Sequence, residues 1–271
     1  MRIVHVCAGW EPHNGAANIA RMLAAEQKRA GHEVVMRSWA SPCELRRADE
    51  VWIHCGWLPC LWWAALWSGK GKARWMPEGC YDPVRLAYHG WKKRLVGPIE
   101  RWCLRRMASA VATCSAEAEW IRAYEPRIRN VEVTDIRRFF DLPKTVGVGK
   151  GHPSLNLLYL GRRHPLKGLE PLEAAVSGLD DVELRIVSDA FGAEKEKAWE
   201  WCDVLVLPTL SDNFGLVVAE ALERGKRVVT TDGAPAWEHQ PGVTYVKGFR
   251  SGTPETRVRL LREALTGLIR R

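Results

Sequence analysis

The sequence lacks several features that would define a protein class. It contains no apolar run of the roughly 20 residues that a membrane-spanning helix needs. It has no internal repeat, no low-complexity segment and no C-x-x-C pair among its eight cysteines. The G-x-G-x-x-G fingerprint of dinucleotide-binding folds and the Walker lysine pattern are also missing. These absences exclude a repeat protein and a membrane-spanning protein. They argue against a zinc site, a disulfide framework and a dinucleotide site.

The start of the sequence is expected to form a strand and not a targeting signal. Residues 1–7, Met-Arg-Ile-Val-His-Val-Cys, have the pattern of a strand and not that of a signal peptide. The cysteines are scattered, and several lie inside strand-like runs, so we expect reduced and mostly buried thiols. The protein is therefore expected to be cytoplasmic.

The composition indicates a globular protein with an anionic partner. Of the 271 residues, 46% are hydrophobic and 27% are charged, which is ordinary for a folded domain. The net charge of +8 favours phosphorylated substrates, an acidic membrane surface or nucleic acid. Fourteen tryptophans are unusual, and tryptophan with lysine and arginine is typical of contacts with lipid headgroups. The basic residues are dispersed and no nucleic-acid recognition signature is present, which argues against nucleic acid.

Strand and helix patterns alternate along the chain, which predicts α/β architecture with parallel sheets. The glycine-rich segment 144–153 predicts a linker, so we expect two Rossmann-like domains, residues 1–147 and 148–271. The predicted strands are Arg2–Cys7, Glu33–Arg37, Glu50–Cys55, Ala73–Met76, Ala110–Thr113, Val131–Val133, Leu155–Leu160, Val182–Val187, Val204–Leu207, Arg227–Thr230 and Val243–Val246. The predicted helices cover residues 16–30, 59–67, 82–107, 115–124, 168–177, 194–201, 216–222 and 254–269.

Residues 209–222 follow a buried strand and open a helix at Gly215. The first N–H groups of a helix lack internal partners and carry partial positive charge, so this turn predicts an anion site. Two carboxylates, Asp212 and Glu220, bracket the turn, and sugar hydroxyls are the obvious group for them to bind. The alternative is that Asp212 only caps the helix and Glu220 is solvated.

A cationic loop, residues 161–168, follows another strand with the sequence Gly-Arg-Arg-His-Pro-Leu-Lys-Gly. Arginine can fork onto phosphate oxygens and lysine adds a point charge. Alone, this loop would be interpreted as a solvated turn. Together with the helix N-terminus of the same sheet, it predicts a two-sided diphosphate clamp.

These motifs resemble the retaining glycosyltransferases of family 4, which have the two-domain GT-B fold. The resemblance is strongest in residues 161–168, in Asp203–Pro208 and in Ser211–Leu222, and it extends to Thr231–Glu238. In the first half it includes residues 76–83 and 113–121. The most similar members build lipopolysaccharide and other surface glycans.

The resemblance implies a role for each matching residue. Arg162 and Lys167 would hold the diphosphate of the donor and neutralise the leaving group. The backbone around Asn213, Phe214, Gly215 and Leu216 would bind the distal phosphate and the donor sugar. Glu220 would bind the nucleotide ribose, and Asp212 would contact the donor sugar near the reacting centre. Asn14, Gly15 and Glu78 would face the acceptor. The co-substrate would be a UDP- or GDP-sugar, with no cofactor and no metal.

The sequence departs from the family pattern at three of these positions. Asp212 replaces the usual glutamate and is one methylene shorter. Glu78 replaces the usual histidine or arginine, and the paired glycine of the first loop is reduced to Gly15-Ala16. The segment after Val187 is also shorter than in family members, so a compact GT-B fold is expected.

A basic region, residues 88–107, places Trp91, Leu95, Ile99 and Trp102 at helical spacing. The stripe could lie on an anionic membrane, or it could pack against the sheet; we favour packing for the stripe itself. His5 and His54 lie in apolar strand patterns and are interpreted as satisfied core histidines, with acceptor contact an alternative for His54.

The sequence therefore predicts a retaining glycosyltransferase that acts on a lipid-linked or lipopolysaccharide-type acceptor. The resemblance places it at the cytoplasmic face of the membrane, in peripheral contact with anionic lipid. The second hypothesis is a catalytically inactive nucleotide-sugar-binding module of the same fold, and the third is a nucleic-acid-binding protein.

Overall fold

The computed structural model describes residues 1–143, 154–188 and 190–269. The chain divides into two compact units, Met1–Ile136 and Arg137–Arg271. The boundary predicted between residues 147 and 148 lies in segment 144–153, outside the described residues. Each unit contains a parallel sheet packed against helices, and this confirms the predicted α/β fold with two Rossmann-like domains.

The first unit is built on a six-stranded sheet. Its strands are β1 (Arg2–Val6), β2 (Glu33–Arg37), β3 (Glu50–His54), β4 (Ala73–Met76), β5 (Ser109–Ala112) and β6 (Val131–Val133). Its helices are α1 (Gly15–Arg29), α2 (Pro42–Arg47), α3 (Pro59–Trp67), α4 (Pro83–Ala87), α5 (Gly90–Leu104) and α6 (Ser115–Tyr124). The strand order is β2-β1-β3-β4-β5-β6, and every pairing is parallel.

The two faces of this sheet differ in chemistry. Val4 and Ile53 belong to an apolar core cluster that includes side chains of α3 and α5. Because side chains alternate along a strand, His5, Trp52 and His54 share the opposite face. His5 lies opposite Trp52 in the β1–β3 register. The His5 ring stacks on both neighbours, with centroids 5.9 Å from Trp52 and 5.2 Å from His54.

The second unit contains a sheet of five described strands. They are β7 (Leu155–Leu160), β8 (Val182–Val187), β9 (Val204–Leu207), β10 (Arg227–Thr231) and β11 (Val243–Val246). The described helices are α7 (Leu169–Val176), α8 (Ala193–Trp201), α9 (Leu216–Glu223) and α10 (Pro254–Ile269). The strand order is β11-β10-β9-β7-β8, again with parallel pairing.

The strand order of each unit reverses at one point. In the first unit β1 lies between β2 and β3, and in the second unit β7 lies between β8 and β9. At such a point, the loops that follow two adjacent strands run to opposite sides of the sheet. A crevice therefore opens between these loops at the carboxyl ends of the strands. The loops after β7 and β9 therefore meet in the second unit, and the loops after β1 and β3 meet in the first.

Two local predictions need correction. Helix α2 was not expected, although Ser41 caps it through its hydroxyl and Pro42 starts it. The single helix predicted over residues 82–107 is two helices. They are separated at His89, which has a left-handed backbone with φ of 53°.

The apolar stripe of α5 is exposed, so the interpretation that it packs against the sheet is wrong. The exposed fractions are 63% for Trp91, 72% for Leu95, 47% for Ile99 and 41% for Trp102. No helix in the described ranges has both the length and the apolar character that crossing a membrane requires.

Glu100 anchors the opposite side of α5 to the unit. This carboxylate is fully buried and accepts hydrogen bonds from the Trp57 backbone N–H at 3.2 Å and the Tyr81 hydroxyl at 2.8 Å. The Trp62 indole of α3 donates a third bond to it. Burial raises the pKa of Glu100 above its ordinary value, and the three donors offset only part of this shift. The buried side of α5 is therefore held by a hydrogen-bonded polar group as well as by apolar contacts.

The loops after β7 and β9 approach so closely that only glycine fits at position 168. Gly168 has φ of 65°, and a Cβ placed on it would lie 1.8 Å from the Pro208 carbonyl oxygen. Gly225 has a similar φ of 67° but no atom within 4 Å of such a Cβ. The left-handed conformation costs alanine about 1 kcal/mol, and overpacking costs roughly 1–3 kcal/mol more.

Because the left-handed cost is common to both positions, we expect Gly168→Ala to destabilise the protein by roughly 1–3 kcal/mol more than Gly225→Ala does. Urea unfolding monitored by tryptophan fluorescence measures both variants. Equal losses of stability would show that the close approach of the two loops does not constrain the fold.

Candidate functional site

The two loops of the predicted diphosphate clamp touch in the second unit. The Leu166 carbonyl accepts hydrogen bonds from the Leu210 N–H at 2.8 Å and from the Thr209 hydroxyl at 3.0 Å. Together with the contact of Gly168 on Pro208, these bonds fix the loop after β7 against the loop after β9. The predicted cationic loop and the predicted anion site therefore share one corner of the sheet.

Lys167 and Asp212 form an ion pair at this corner. Their side chains are 16% and 17% exposed, so the pair is partly shielded from water and still reachable. The structure thus brings together two residues that the sequence assigned to different loops. The nearby Tyr159 hydroxyl has a pKa raised to about 12, first by burial and then by the charge of Asp212.

Arg162 occupies a different position in the same loop. Its side chain is exposed, and its backbone carbonyl accepts a hydrogen bond of 2.8 Å from the Tyr159 hydroxyl. Within the described ranges its guanidinium makes no hydrogen bond or ion pair. Of the two predicted cations, Lys167 is held by a partner and Arg162 extends into solvent.

The N-terminus of α9 has the features of an anion site. Gly215 is the residue that precedes the helix, with φ of 67°, and no side chain caps it. Asp212 is therefore not the cap of this helix. In the described part of the chain, the N–H groups of Phe214, Gly215 and Leu216 make no hydrogen bond. The Phe214 carbonyl accepts from the Trp237 indole, and Asn213 is buried next to it.

Glu220 lies farther along α9 and forms an ion pair that the sequence does not predict. Its Oε2 lies 2.6 Å from Nζ of Lys195 on α8. The sequence gives no motif for this contact, because Lys195 belongs to a different helix whose packing only the tertiary structure defines. Each predicted acid of the donor site is thus paired with a lysine.

The residues predicted to face the acceptor have unequal surroundings in the first unit. Asn14 caps α1, accepting from the Ala16 N–H at 3.1 Å and donating to the Gly9 carbonyl at 2.8 Å. Gly15 is the first residue of that helix. Glu78 follows β4 and has a left-handed backbone with φ of 54°, which is unusual for a residue other than glycine.

Glu78 ends a buried chain of hydrogen bonds. Its Oε1 lies 3.0 Å from Nδ1 of His54, and Nε2 of His54 lies 3.0 Å from Nδ1 of His5. Nε2 of His5 lies 2.7 Å from the amide oxygen of Gln27 on α1. We refer to these four residues as the Glu78 chain. The two histidines are satisfied core residues, as predicted, but their connection to Glu78 is not evident from the sequence.

Burial disfavours charge throughout the Glu78 chain. It lowers the pKa of His5 to about 3, with the neighbouring His54 adding to the shift, and it lowers the pKa of His54 to about 3. Burial also raises the pKa of Glu78 well above its ordinary value, and the nearby Glu117 raises it further. Among the described residues, no cluster of three metal-ligating side chains is present.

The sequence matches known protein families in both units. Residues 35–135 match the family "Glycosyl transferase 4-like domain", and residues 148–265 match "Glycosyl transferases group 1". The chain carries two glycosyltransferase-family domains. A comparison with curated proteins gives no match.

Solved structures place these glycosyltransferase domains in the GT-B fold. Sucrose-phosphate synthase from Thermosynechococcus elongatus is 13% identical with a TM-score of 0.71, over 99% of this chain and 90% of that chain. WaaG, a glycosyltransferase involved in lipopolysaccharide biosynthesis, is 13% identical with a TM-score of 0.65, over 97% and 90%. Anabaena HepE in complex with UDP-glucose is 13% identical with a TM-score of 0.63, over 100% and 95%. At this identity the likeness shows the fold.

The buried histidines of the N-terminal glycosyltransferase domain predict a loss of stability in acid. Both have a folded-state pKa of about 3 against an ordinary value of 6.5, so the unfolded state binds more protons in this window. Their contribution is complete above pH 6.5 and is lost as the pH falls toward 3. The raised pKa of Glu78 acts with the opposite sign, since its contribution is lost as the pH rises.

We expect the melting temperature of the wild type to fall more steeply between pH 6.5 and 4 than that of His5→Asn. His239→Asn, at an exposed histidine, should keep the steep wild-type dependence. Calorimetry over this pH range measures the slopes, and identical slopes for all three proteins would contradict the assignment.

Proposed function

We propose that the protein is a metal-independent, retaining glycosyltransferase of family 4. It would move a sugar from a UDP- or GDP-sugar to a lipid-linked or lipopolysaccharide-type acceptor. The observation that supports this most is the corner of the second unit, where the Lys167–Asp212 pair lies on the loops that lead to the uncapped N-terminus of α9. The complex of HepE with UDP-glucose supports a donor of that class.

The donor site would stabilise the leaving diphosphate. Cleavage of the sugar–phosphate bond builds negative charge on the diphosphate, which fixed cations and amide dipoles stabilise without a metal. Lys167 and Arg162 would supply the charge, and the N–H groups of residues 214–216 would bind the distal phosphate. Asp212 holds the ammonium of Lys167 in place and would contact the donor sugar.

Glu220 would accept hydrogen bonds from the ribose hydroxyls. Its ion pair with Lys195 limits the positions that its carboxylate can take. A fixed carboxylate binds two neighbouring hydroxyls with less loss of side-chain freedom than a mobile one. Lys195 is therefore proposed as part of the support of the donor site.

The acceptor is proposed from the surface chemistry of the first unit and from WaaG. The exposed stripe of α5 is interleaved with basic residues, including the exposed Lys92 and Arg94. Apolar and aromatic side chains bordered by cations suit an anionic lipid surface. WaaG, which has the same fold, is involved in lipopolysaccharide biosynthesis. The protein would thus work at the cytoplasmic face of a membrane, in peripheral contact.

The second candidate is an inactive module that binds the nucleotide sugar. It is favoured by Asp212, which replaces the longer acid of the family and is engaged by Lys167. Such a module would bind the nucleotide, as tryptophan fluorescence can detect, without sugar transfer or hydrolysis. Detectable transfer eliminates it.

Lys167→Ala tests the donor site. We expect kcat/KM for nucleotide release from the preferred donor to fall about 100-fold, since one stabilising donor of a transition-state charge is lost. A panel of UDP- and GDP-sugars identifies that donor. Lys197→Ala, at an exposed lysine of α8, serves as the matched control and should turn over like the wild type. Equal turnover of all three proteins would refute the role of Lys167.

A double substitution on α5 tests the membrane contact. We expect Trp91→Ser with Lys92→Ser to weaken binding to vesicles of phosphatidylglycerol, because it removes both an apolar anchor and a charge worth about 1 kcal/mol. Affinity for the nucleotide should not change. The control is Trp39→Ser with Lys70→Ser, which removes an exposed tryptophan and a lysine elsewhere in the unit. Unchanged vesicle binding by the α5 variant would rule out this surface.

A further inference from the structure

The Glu78 side chain is buried, and one of its two carboxyl oxygens has no hydrogen-bond partner among the residues that the structure describes. The residue is 8% exposed, and its Oε1 is bonded to His54. Its other oxygen, Oε2, is buried and makes no hydrogen bond within the part of the chain that the structure describes. Leaving a buried carboxyl oxygen unpaired costs free energy, so such an atom suggests a missing ligand.

The far end of the Glu78 chain sets the direction of its hydrogen bonds. The Gln27 amide oxygen can only accept, so Nε2 of His5 donates to it. Nδ1 of a neutral His5 must then accept from Nε2 of His54. Nδ1 of a neutral His54 must in turn accept, and only a protonated Glu78 can donate to it.

The groups around Glu78 favour the same protonation state. From α6, Glu117 accepts from the Gly79 N–H at 2.6 Å, the Thr113 N–H at 2.7 Å and the Thr113 hydroxyl at 2.9 Å. Hydrogen bonds from such donors stabilise the charged form of a carboxyl, and the charge of Glu117 raises the pKa of Glu78.

Other groups around Glu78 shift its pKa less than burial and Glu117 do. Arg85 of α4 acts in the opposite direction but is outweighed by burial and Glu117. The Cys7 thiol also interacts with Glu78, and its own pKa is raised to about 12, chiefly by burial. Cys55 interacts with Glu78 as well.

We propose that Glu78 is a neutral carboxyl that binds a hydroxyl of the acceptor sugar through Oε2. His54, His5 and Gln27 are the positioning residues that keep its proton on Oε1. This inference rests on the proposed function, and it specifies the chemical class of the acceptor group. A neutral carboxyl oxygen accepts from a hydroxyl, whereas an ionised carboxylate in this place would favour a cation.

Infrared spectroscopy tests the protonation state without any substrate. A protonated carboxyl has a carbonyl stretch distinct from that of a carboxylate. We expect such a band in the wild type at pH 7 and its loss in Glu78→Gln. If the two spectra do not differ in this band, Glu78 is ionised and the proposal is overturned.

Gln27→Leu tests whether the chain positions the proton. Without the terminal acceptor, both histidines can adopt the opposite tautomer and donate toward Glu78, which stabilises its ionised form. We expect the Glu78 band to disappear at a lower pH in this variant. Gln240→Leu, in the second unit, is the control. If the band disappears at the same pH in Gln27→Leu as in the wild type, the Glu78 chain has only a packing role.

Transfer kinetics test the hydroxyl contact, with UDP-glucose as donor and octyl glucoside as a hydroxyl-bearing probe acceptor. We expect Glu78→Leu to raise KM for octyl glucoside at least 10-fold more than Glu78→Gln does, with KM for UDP-glucose unchanged in both. An equal rise in KM for octyl glucoside in the two variants would overturn the proposed hydroxyl contact. Absence of transfer by the wild type would count against the proposed function, and the infrared band would still decide the state of Glu78.

Discussion

The close approach of two backbone segments organises the second unit. The loop after β7 can lie on the Pro208 carbonyl only because residue 168 has no Cβ. The bonds from Thr209 and Leu210 to the Leu166 carbonyl then set the position of the next residue, Lys167. The lysine consequently meets Asp212 next to the start of α9. A cationic loop and a helix N-terminus are each unremarkable alone, and this contact brings them together in one candidate site.

In the first unit, a buried row of hydrogen-bonded side chains orients the polar groups. Its sheet places two histidines and a tryptophan in a stacked row on one face, and burial keeps the histidines neutral. Each neutral ring donates one hydrogen bond and accepts one, so the acceptor at Gln27 fixes the direction of every bond as far as Glu78. The carboxyl at the sheet edge thus depends on a residue at the other end of the chain of bonds, on α1.

Much of this arrangement follows from the sequence, and the exceptions have physical causes. Strands such as Val204–Leu207 and Val243–Val246 are predicted with the observed bounds, because short apolar runs between turn residues leave little choice. Helix α2 was missed since six residues carry almost no periodicity. The contacts of Lys195 with Glu220 and of Gln27 with His5 could not be predicted, because each joins two separate elements. The exposure of Trp91 was mispredicted because a periodic stripe does not reveal which neighbour covers it.

Glu100 has a consequence for how the first unit would meet a surface. Its three hydrogen bonds tie α5 to α3 and to the loops after β3 and β4. Peeling the helix away would break these three bonds and leave the Trp57 N–H, the Trp62 indole and the Tyr81 hydroxyl without their acceptor, and each unpaired buried donor costs about 1–3 kcal/mol. If α5 makes the proposed membrane contact, any pull on Leu95 or Trp91 would therefore be transmitted to the sheet as a whole. The unit would tilt as a rigid body. The angle at which this helix lies on the bilayer would then set the orientation of the strand ends.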